Sequence, residues 1–191
     1  MAALLRSNRP PGRTRALLAG AVVAVAVVVA AVAFLVTRAG PAPSTTSFDP
    51  AAWSLPRLNG PGEMTLASFH GRPLVLDFFA SWCTSCNEEL PAFVQTDQRL
   101  GGRVGFAGVD SEETGDGLAF ARQTGVGGWP LARDLGGREL SGLRDAVEAT
   151  PGMPVTAFYD ASGKLLHVQL GALTSDQLLS QISRLYNLSP P

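Results

Sequence analysis

The chain has 191 residues, of which 46% are hydrophobic and 16% charged, and it contains two cysteines. This apolar content is enough for a buried core, which excludes a wholly disordered chain. Two cysteines exclude a disulfide-rich scaffold and a four-cysteine zinc site.

The formal net charge of −1 is an average over two unlike parts of the chain. Four arginines make the first fifteen residues basic, and no acidic residue precedes Asp49. From residue 39 onward, ten basic residues are set against sixteen acidic ones. Because an acidic domain repels phosphate backbones, we expect no nucleic-acid partner.

A long apolar segment follows the basic residues. Leu17–Val36 contains no charged side chain, and twenty helical residues span about 30 Å, the thickness of the bilayer hydrocarbon. We predict one transmembrane helix over residues 17–37, with residues 1–16 as a cytoplasmic tail because the arginines precede the helix. The alternative is a cleaved signal peptide. Its apolar region is usually shorter, about 7–15 residues, but the small residues of Arg38–Ala42 are compatible with cleavage.

The remainder of the chain divides into a linker and a folded domain. Residues 38–52 are rich in proline, serine, threonine and small residues, which is typical of a linker. Residues 53–191 form the predicted extracytoplasmic domain. Its predicted elements, in chain order, are a β-hairpin (Trp53–Leu58 and Met64–Leu66), a buried strand (Leu74–Ala80), a helix (Thr84–Leu100), a strand (Val104–Val109), a helix (Thr114–Thr124), a short strand (Leu131–Arg133), a helix (Glu139–Val147), a second hairpin (Pro154–Tyr159 and Lys164–Leu170) and a C-terminal helix with a capping box at Thr174 and Gln177. This order predicts an α/β fold with a mixed central sheet flanked by helices.

The two cysteines lie three residues apart, where the buried strand ends and a helix begins. Cys83 and Cys86 then share the first helical turn, close enough for a disulfide. The helix N-terminus favours a thiolate on the first cysteine, so we predict Cys83 as the exposed nucleophile and Cys86 as the resolving thiol. A purely structural disulfide and a zinc pair are alternatives. His70 and His167 do not have the spacing of zinc ligands relative to the cysteines.

The sequence around the cysteines resembles a known family. LVLDFFASWCTSCNEELP over Leu74–Pro91 looks like the active-site strand and helix of the thioredoxin superfamily, and more closely like the membrane-anchored TlpA/ResA-like thiol–disulfide oxidoreductases of bacteria. VGFAGVDSEE and GMPVTAFYDASGKL are further matches in the expected order. The resemblance extends over about Trp53–Leu188 and implies a thioredoxin fold that begins with a β-hairpin.

The resemblance also implies roles for single residues. Pro154 matches the superfamily's cis-proline, which would present the Met153 backbone to an extended substrate. Trp82 would help to form the substrate surface. Asp77 occupies the position of the buried acid of thioredoxin, where burial raises the pKa and suits a proton acceptor for the resolving cysteine. Glu89 matches an acid of ResA-like proteins that tunes the thiols and meets the substrate.

The dipeptide between the cysteines departs from the family pattern. Thr84 and Ser85 stand where thioredoxin and most TlpA-like proteins carry a proline. Two hydroxyls that can donate to a thiolate would stabilise the reduced form and make the protein more oxidising.

The function implied is thiol–disulfide exchange at the outer face of the cell membrane, with the chain anchored by one pass. We expect reduction of exported protein disulfides, including apocytochrome c haem-site cysteines, with a membrane thiol carrier as electron donor. No cofactor and no metal is expected. A disulfide-forming oxidant uses the same cysteines and is one alternative. A copper chaperone is another, because C-x-x-C thiolates bind Cu(I). A peroxiredoxin-like peroxidase is disfavoured because Ala80 lacks the hydroxyl expected three residues before Cys83.

Overall fold

The computed structural model describes residues 52–134, 143–147 and 152–189. The predicted cytoplasmic tail, the transmembrane segment and the linker up to residue 51 lie outside these residues. So do residues 139–142 of the helix predicted over Glu139–Val147, whereas residues 143–147 are described. Among the helices of the described ranges, none combines the length and apolarity needed to cross a bilayer.

In the described residues, seven strands form two sheets. A two-stranded antiparallel hairpin comes first, followed by a five-stranded sheet in the order β5-β4-β3-β6-β7. Parallel pairing joins β3 to β4 and β4 to β5, whereas β3–β6 and β6–β7 are antiparallel. The sheet is therefore mixed, as predicted. The strands are β1 (Ser54–Pro56), β2 (Glu63–Thr65), β3 (Leu74–Phe79), β4 (Gly105–Ser111), β5 (Leu131–Asp134), β6 (Val155–Tyr159) and β7 (Leu165–Leu170).

Four α-helices are present in the described residues. Two short 3₁₀ helices, Leu66–Phe69 and Val126–Gly128, accompany them and were not predicted from the sequence. The α-helices are α1 (Thr84–Leu100), α2 (Gly117–Gln123), α3 (Leu143–Ala146) and α4 (Ser175–Tyr186).

The central strand β3 separates two layers of apolar side chains. Because side chains alternate along a strand, Val75 and Phe79 enter the cluster that contains α1 and α4, whereas Leu74, Leu76 and Phe78 enter the cluster on the opposite face. Every residue of β3 is buried, which explains why the strand reads as a continuous apolar run. Asp77 is the one acid in this run. It alternates with its neighbours in step with Val75 and Phe79, so its side chain lies on the α1 face of the sheet.

The helix bounds differ from prediction at α2. The sequence predicts a start at Thr114, but α2 begins at Gly117, where the Asp116 side chain caps it by accepting from Ala119 N–H. The preceding N–H groups of Thr114 and Gly115 instead donate to the Glu113 carboxylate, which closes a turn ahead of the helix. Helix α1, by contrast, has the predicted bounds, and the capping box at the start of α4 is confirmed.

Candidate active site: a disulfide at a helix N-terminus

The two cysteines are joined by a disulfide at the start of α1, with their α-carbons 5.3 Å apart. Cys83 is the N-cap residue, and its Sγ accepts a hydrogen bond from the Cys86 N–H at 3.1 Å. An N–H at a helix N-terminus stabilises negative charge on the atom it reaches. The geometry therefore favours a thiolate on Cys83 once the disulfide is reduced.

Access to the two sulfurs is unequal. Cys83 is 4% exposed and borders an open groove together with Trp82, Asn87 and Phe120, whereas Cys86 is 0% exposed. The Trp82 side chain is 47% exposed, and its Nε1 donates to the Glu112 carbonyl at 2.9 Å. Cys83 was predicted to be exposed but is nearly buried, because only its edge reaches the groove. The order of attack by Cys83 and resolution by Cys86 stays a prediction.

The Met153–Pro154 peptide bond is cis, as the resemblance implies. Strand β6 begins directly after it at Val155, which pairs with Phe78 near the end of β3. The loop that leads to Cys83 leaves that same end of β3. Met153 is partly buried and packs against the apolar cluster that contains both cysteines. Binding of substrate by Trp82, Met153 and Pro154 stays a prediction.

Two buried acids face each other behind the disulfide. Asp77 lies in the middle of β3 and is 0% exposed, and its Oδ2 accepts from the Thr156 hydroxyl at 3.2 Å. Glu89 lies on α1, one turn beyond Cys86, and is 2% exposed. Its Oε2 accepts from the Leu173 N–H, which precedes α4. The position suits tuning of the thiols, whereas contact of Glu89 with substrate stays a prediction.

The pKa values of both acids are raised above those of exposed carboxyls. Burial raises the pKa of Asp77 well above its ordinary value, the adjacent Glu89 carboxylate raises it further, and the Thr156 hydroxyl opposes the shift. Burial also raises the pKa of Glu89 to about 7, against hydrogen bonds from the Leu173 N–H and from Asp77 that lower it. Two buried carboxyls in contact share one proton because both cannot be charged at low cost. The pair is therefore able to accept or supply a proton beside Cys86.

A third acid, not identified from the sequence, clamps the active-site loop. Glu113 Oε2 accepts from the Ser81 N–H and its Oε1 accepts from the Ser81 hydroxyl, both at 2.6 Å. Burial disfavours the Glu113 anion, but the hydrogen bonds from Ser81 outweigh burial and lower its pKa. The clamp joins the loop after β4 to the loop after β3. These two strands are parallel neighbours, so their carboxyl ends lie at the same edge of the sheet.

Beside this clamp lies Asp110, the buried acid near the end of β4. Its pKa is raised to about 7, mainly by burial and further by the neighbouring Glu113, against the opposing charge of Arg133, 3.9 Å away. Helix α2 begins against this carboxyl group, because a β-carbon on Gly117 would lie 2.2 Å from Asp110 Oδ2. Only glycine allows this approach.

No metal centre accompanies these groups in the part of the chain that the structure describes. Its histidines, cysteines and acids form no cluster of three or more able to hold an ion. His167 packs against the Phe158 ring on β6, and His70 lies exposed after the first 3₁₀ helix.

A thioredoxin-like α/β fold that carries a C-x-x-C disulfide at a helix N-terminus, beside a cis-proline, defines a thiol–disulfide oxidoreductase. The chain belongs to the AhpC/TSA family, whose model matches residues 49–168.

Named relatives agree with this class. The chain is 24% identical over 144 residues to the thiol:disulfide interchange protein DsbE of Pseudomonas fluorescens biotype C, with 73% of this chain and 77% of that protein covered. It is 42% identical over 38 residues to a thiol:disulfide interchange protein TxlA homolog of Synechocystis sp.. That match covers 20% of this chain and 21% of the relative, so it concerns a short segment alone.

Solved structures show the same fold. A putative thiol:disulfide interchange protein DsbE from Chlorobium tepidum superposes with a TM-score of 0.60 at 27% identity, covering 74% of this chain and 98% of that one. A secreted Mycobacterium tuberculosis disulfide oxidoreductase homologous to E. coli DsbE gives a TM-score of 0.56 at 24% identity, covering 71% and 98%.

Proposed function

We propose that the protein exchanges disulfides with exported proteins outside the cytoplasmic membrane, anchored there by residues 17–37. The observation that carries the proposal is the unequal access of the two sulfurs, with Cys83 at the groove and Cys86 fully buried. A purely structural disulfide requires neither a groove nor a stabilised Cys83 thiolate.

The chemistry in the reductive direction follows from this geometry. The Cys83 thiolate attacks one sulfur of a substrate disulfide, which forms a mixed disulfide and releases one substrate thiolate. Cys86 loses its proton to the Asp77–Glu89 pair and attacks Cys83 Sγ, which releases the second substrate thiolate. Two electrons have then passed to the substrate, and the protein returns to the Cys83–Cys86 disulfide seen in the structure.

Reduction is the favoured direction because of the resemblance to TlpA/ResA-like reductants. Haem-site cysteines of apocytochrome c are the substrates that this resemblance suggests. An oxidising compartment requires that electrons come from elsewhere, so a membrane dithiol carrier would reduce the Cys83–Cys86 disulfide after each cycle.

The proposed location has two supports. One is the basic N-terminal tail followed by the uncharged segment Leu17–Val36, which favours a single pass with the tail in the cytoplasm. The other is the secreted M. tuberculosis oxidoreductase among the fold neighbours. Cell fractionation with protease protection tests the location. The protein should fractionate with the membrane, and added protease should digest the domain once the outer cell layers are permeabilised.

Mechanism-based trapping tests the function. A Cys86→Ser variant should accumulate mixed disulfides through Cys83, because the resolving thiol is missing. The matched variant Cys83→Ser should trap nothing and should not reduce insulin disulfides. Mass spectrometry of the trapped proteins identifies the substrates. Apocytochromes would support the reductase, whereas an active Cys83→Ser variant would overturn the assignment of the nucleophile.

An oxidant is the second candidate, and Thr84-Ser85 between the cysteines favours it. The same disulfide would then accept two electrons from a substrate dithiol and leave that substrate oxidised. A redox titration separates the two directions. A potential near −120 mV, typical of a strong oxidant, would favour disulfide formation, and one near −270 mV, typical of thioredoxin, would favour reduction.

A further inference from the structure

A buried arginine on α3 joins the two loops that flank the disulfide. Arg144 is 0% exposed, although arginine is almost never fully buried unless it is paired. Its Nη1 lies 2.8 Å from the Glu112 carboxylate. Its Nη2 donates to the Gly152 carbonyl. The planar guanidinium presents donors in a fixed fork, so both contacts restrict the same rigid group.

Each contact leads to a segment that lies close to the disulfide in sequence or in packing: the Trp82 side chain on one side and the loop of Met153, which packs against the cysteine cluster, on the other. Glu112 accepts the Trp82 indole N–H on its backbone carbonyl, and Trp82 immediately precedes the nucleophile. Gly152 immediately precedes the cis Met153–Pro154 bond. One buried side chain thus contacts Glu112, the residue that accepts the Trp82 indole N–H, and also contacts the residue before the cis bond.

The backbone at both contacts is unusual, which indicates that the bridge holds a defined geometry. Glu112 has φ 54°, in the left-handed region that non-glycine residues rarely occupy, and Gly152 has φ 129°. Neither loop belongs to a strand or helix at these positions. The Glu112 N–H donates to the Asp134 carbonyl at the end of β5, which holds this loop to the sheet, and the Glu112–Arg144–Gly152 bridge links it directly to the residue before the cis bond.

We propose that Arg144 is a positioning residue that fixes the cis-proline loop relative to Trp82 and so sets the groove in which a protein disulfide meets Cys83. The contacts that define this role are those with the Glu112 carboxylate and the Gly152 carbonyl. Its influence is on engagement of an extended polypeptide, not on the thiol chemistry. This inference rests on the proposed exchange with protein disulfides.

The test compares two kinds of substrate in the full chain. For Arg144→Gln we expect kcat/KM for insulin disulfides to fall about tenfold, mainly through KM, because the walls of the groove are no longer held together. The rate at which dithiothreitol reduces the Cys83–Cys86 disulfide should change less than twofold, because a small dithiol needs no groove. Arg184→Gln, which removes an exposed arginine on α4, is the matched control and should leave both rates unchanged.

Two further variants keep the proposal falsifiable if Arg144→Gln does not fold. Glu112→Gln leaves the carbonyl that receives Trp82 in place and removes only the charged partner, so it should reproduce the KM effect in part. Arg144→Lys keeps the charge without the fork and should lie between wild type and Arg144→Gln. The indole ¹⁵N–¹H resonance of Trp82 should shift in every variant that breaks the bridge.

Three results would overturn the proposal: an unchanged KM in folded Arg144→Gln, an equal loss with insulin and dithiothreitol, or an unmoved Trp82 resonance. Failure of the underlying function looks different. In that case wild type itself reacts with dithiothreitol but reduces no insulin, while the Trp82 resonance still reports the bridge.

Discussion

The Glu113 carboxylate accepts two hydrogen bonds from Ser81, one from the Ser81 backbone N–H and one from the Ser81 hydroxyl, both at 2.6 Å, and Ser81 lies two residues before Cys83, the proposed nucleophile. The two residues are separated by 32 positions in the chain. A single carboxylate thereby determines where the active-site loop lies relative to the end of β4.

Loss of this clamp should loosen the loop. Glu113→Gln leaves one acceptor oxygen in place of two and removes the charge, so the free energy of unfolding should fall by about 1–3 kcal/mol. Ser81→Ala is the matched control, since it keeps the backbone contact and should cost about 1 kcal/mol. Urea denaturation of both variants checks the difference. Equal losses of unfolding free energy in the two variants would show that the stabilisation comes from the Ser81 hydroxyl and not from the Ser81 backbone N–H.

Asp110 should make stability depend on pH. Its folded-state pKa of about 7 lies above the unfolded value, so the unfolded chain loses this proton first and stability falls as the pH rises from about 4 to about 7. Asp110→Asn removes this loss. Relative to wild type, the variant should gain about 1–2 kcal/mol on going from pH 5 to pH 8.

Thermal unfolding at the two pH values measures this gain, with Glu88→Gln as the control for removing an exposed carboxylate. A difference between Asp110→Asn and wild type that is the same at pH 5 and pH 8 would contradict the raised pKa.

Asp77 should control the resolution step. Without its carboxylate, Cys86 has no adjacent proton acceptor on β3, so Asp77→Asn should slow the decay of the mixed disulfide about tenfold or more at pH 7. The same variant should be more stable than wild type above the pKa of Asp77, because a buried carboxylate no longer has to ionise. Stopped-flow tryptophan fluorescence measures the rate. A variant that is slower but not more stable at high pH would show that burial is not the cause of the shift.

Glu89 should set the pH at which that step becomes fast. Its negative charge raises the pKa of Asp77, so Glu89→Gln should lower the pKa of Asp77 and displace the pH–rate profile of resolution toward lower pH. Glutamine keeps an oxygen that accepts from the Leu173 N–H, so the contact with the segment before α4 is retained. Single-turnover rates from pH 5 to pH 9 test this. A profile displaced upward would mean that Glu89 is uncharged in wild type.

The capping box of α4 offers a test independent of the redox site. Thr174→Ala removes the acceptor for the Gln177 N–H and should lower the free energy of unfolding by about 1 kcal/mol. Gln177→Ala removes the reciprocal bond to the Thr174 N–H. Because the two bonds form one motif, the double variant should lose less than the sum of the single losses, as measured by a double-mutant cycle.

Local signals account for what was predictable. The apolar run of β3, the capping box of α4 and the bounds of α1 follow from periodicity and capping within a few residues of chain. The proximity of the two cysteines follows from their spacing at the predicted helix start, whereas the cis Met153–Pro154 bond was expected from the family resemblance.

Contacts between distant loops account for what was missed. Glu112, Glu113 and Arg144 are charged residues of the kind that usually face solvent, and no local pattern distinguishes them. Their partners lie in other loops that the sheet brings together at the ends of β3, β4 and β6. The wrong start of α2 has the same origin, because Glu113 engages the N–H groups of Thr114 and Gly115.

The pairing of the two cysteines of the chain with each other limits how many electrons one molecule holds. A reduced molecule can deliver a single electron pair, and no third thiol is present to store another. In the proposed reductive direction, the amount of substrate disulfide reduced in a closed assay without an electron donor therefore equals the number of reduced protein molecules, whatever the time allowed. Repeated turnover is a property of the protein together with its electron source, so the rate of recharging sets an upper limit on the flux.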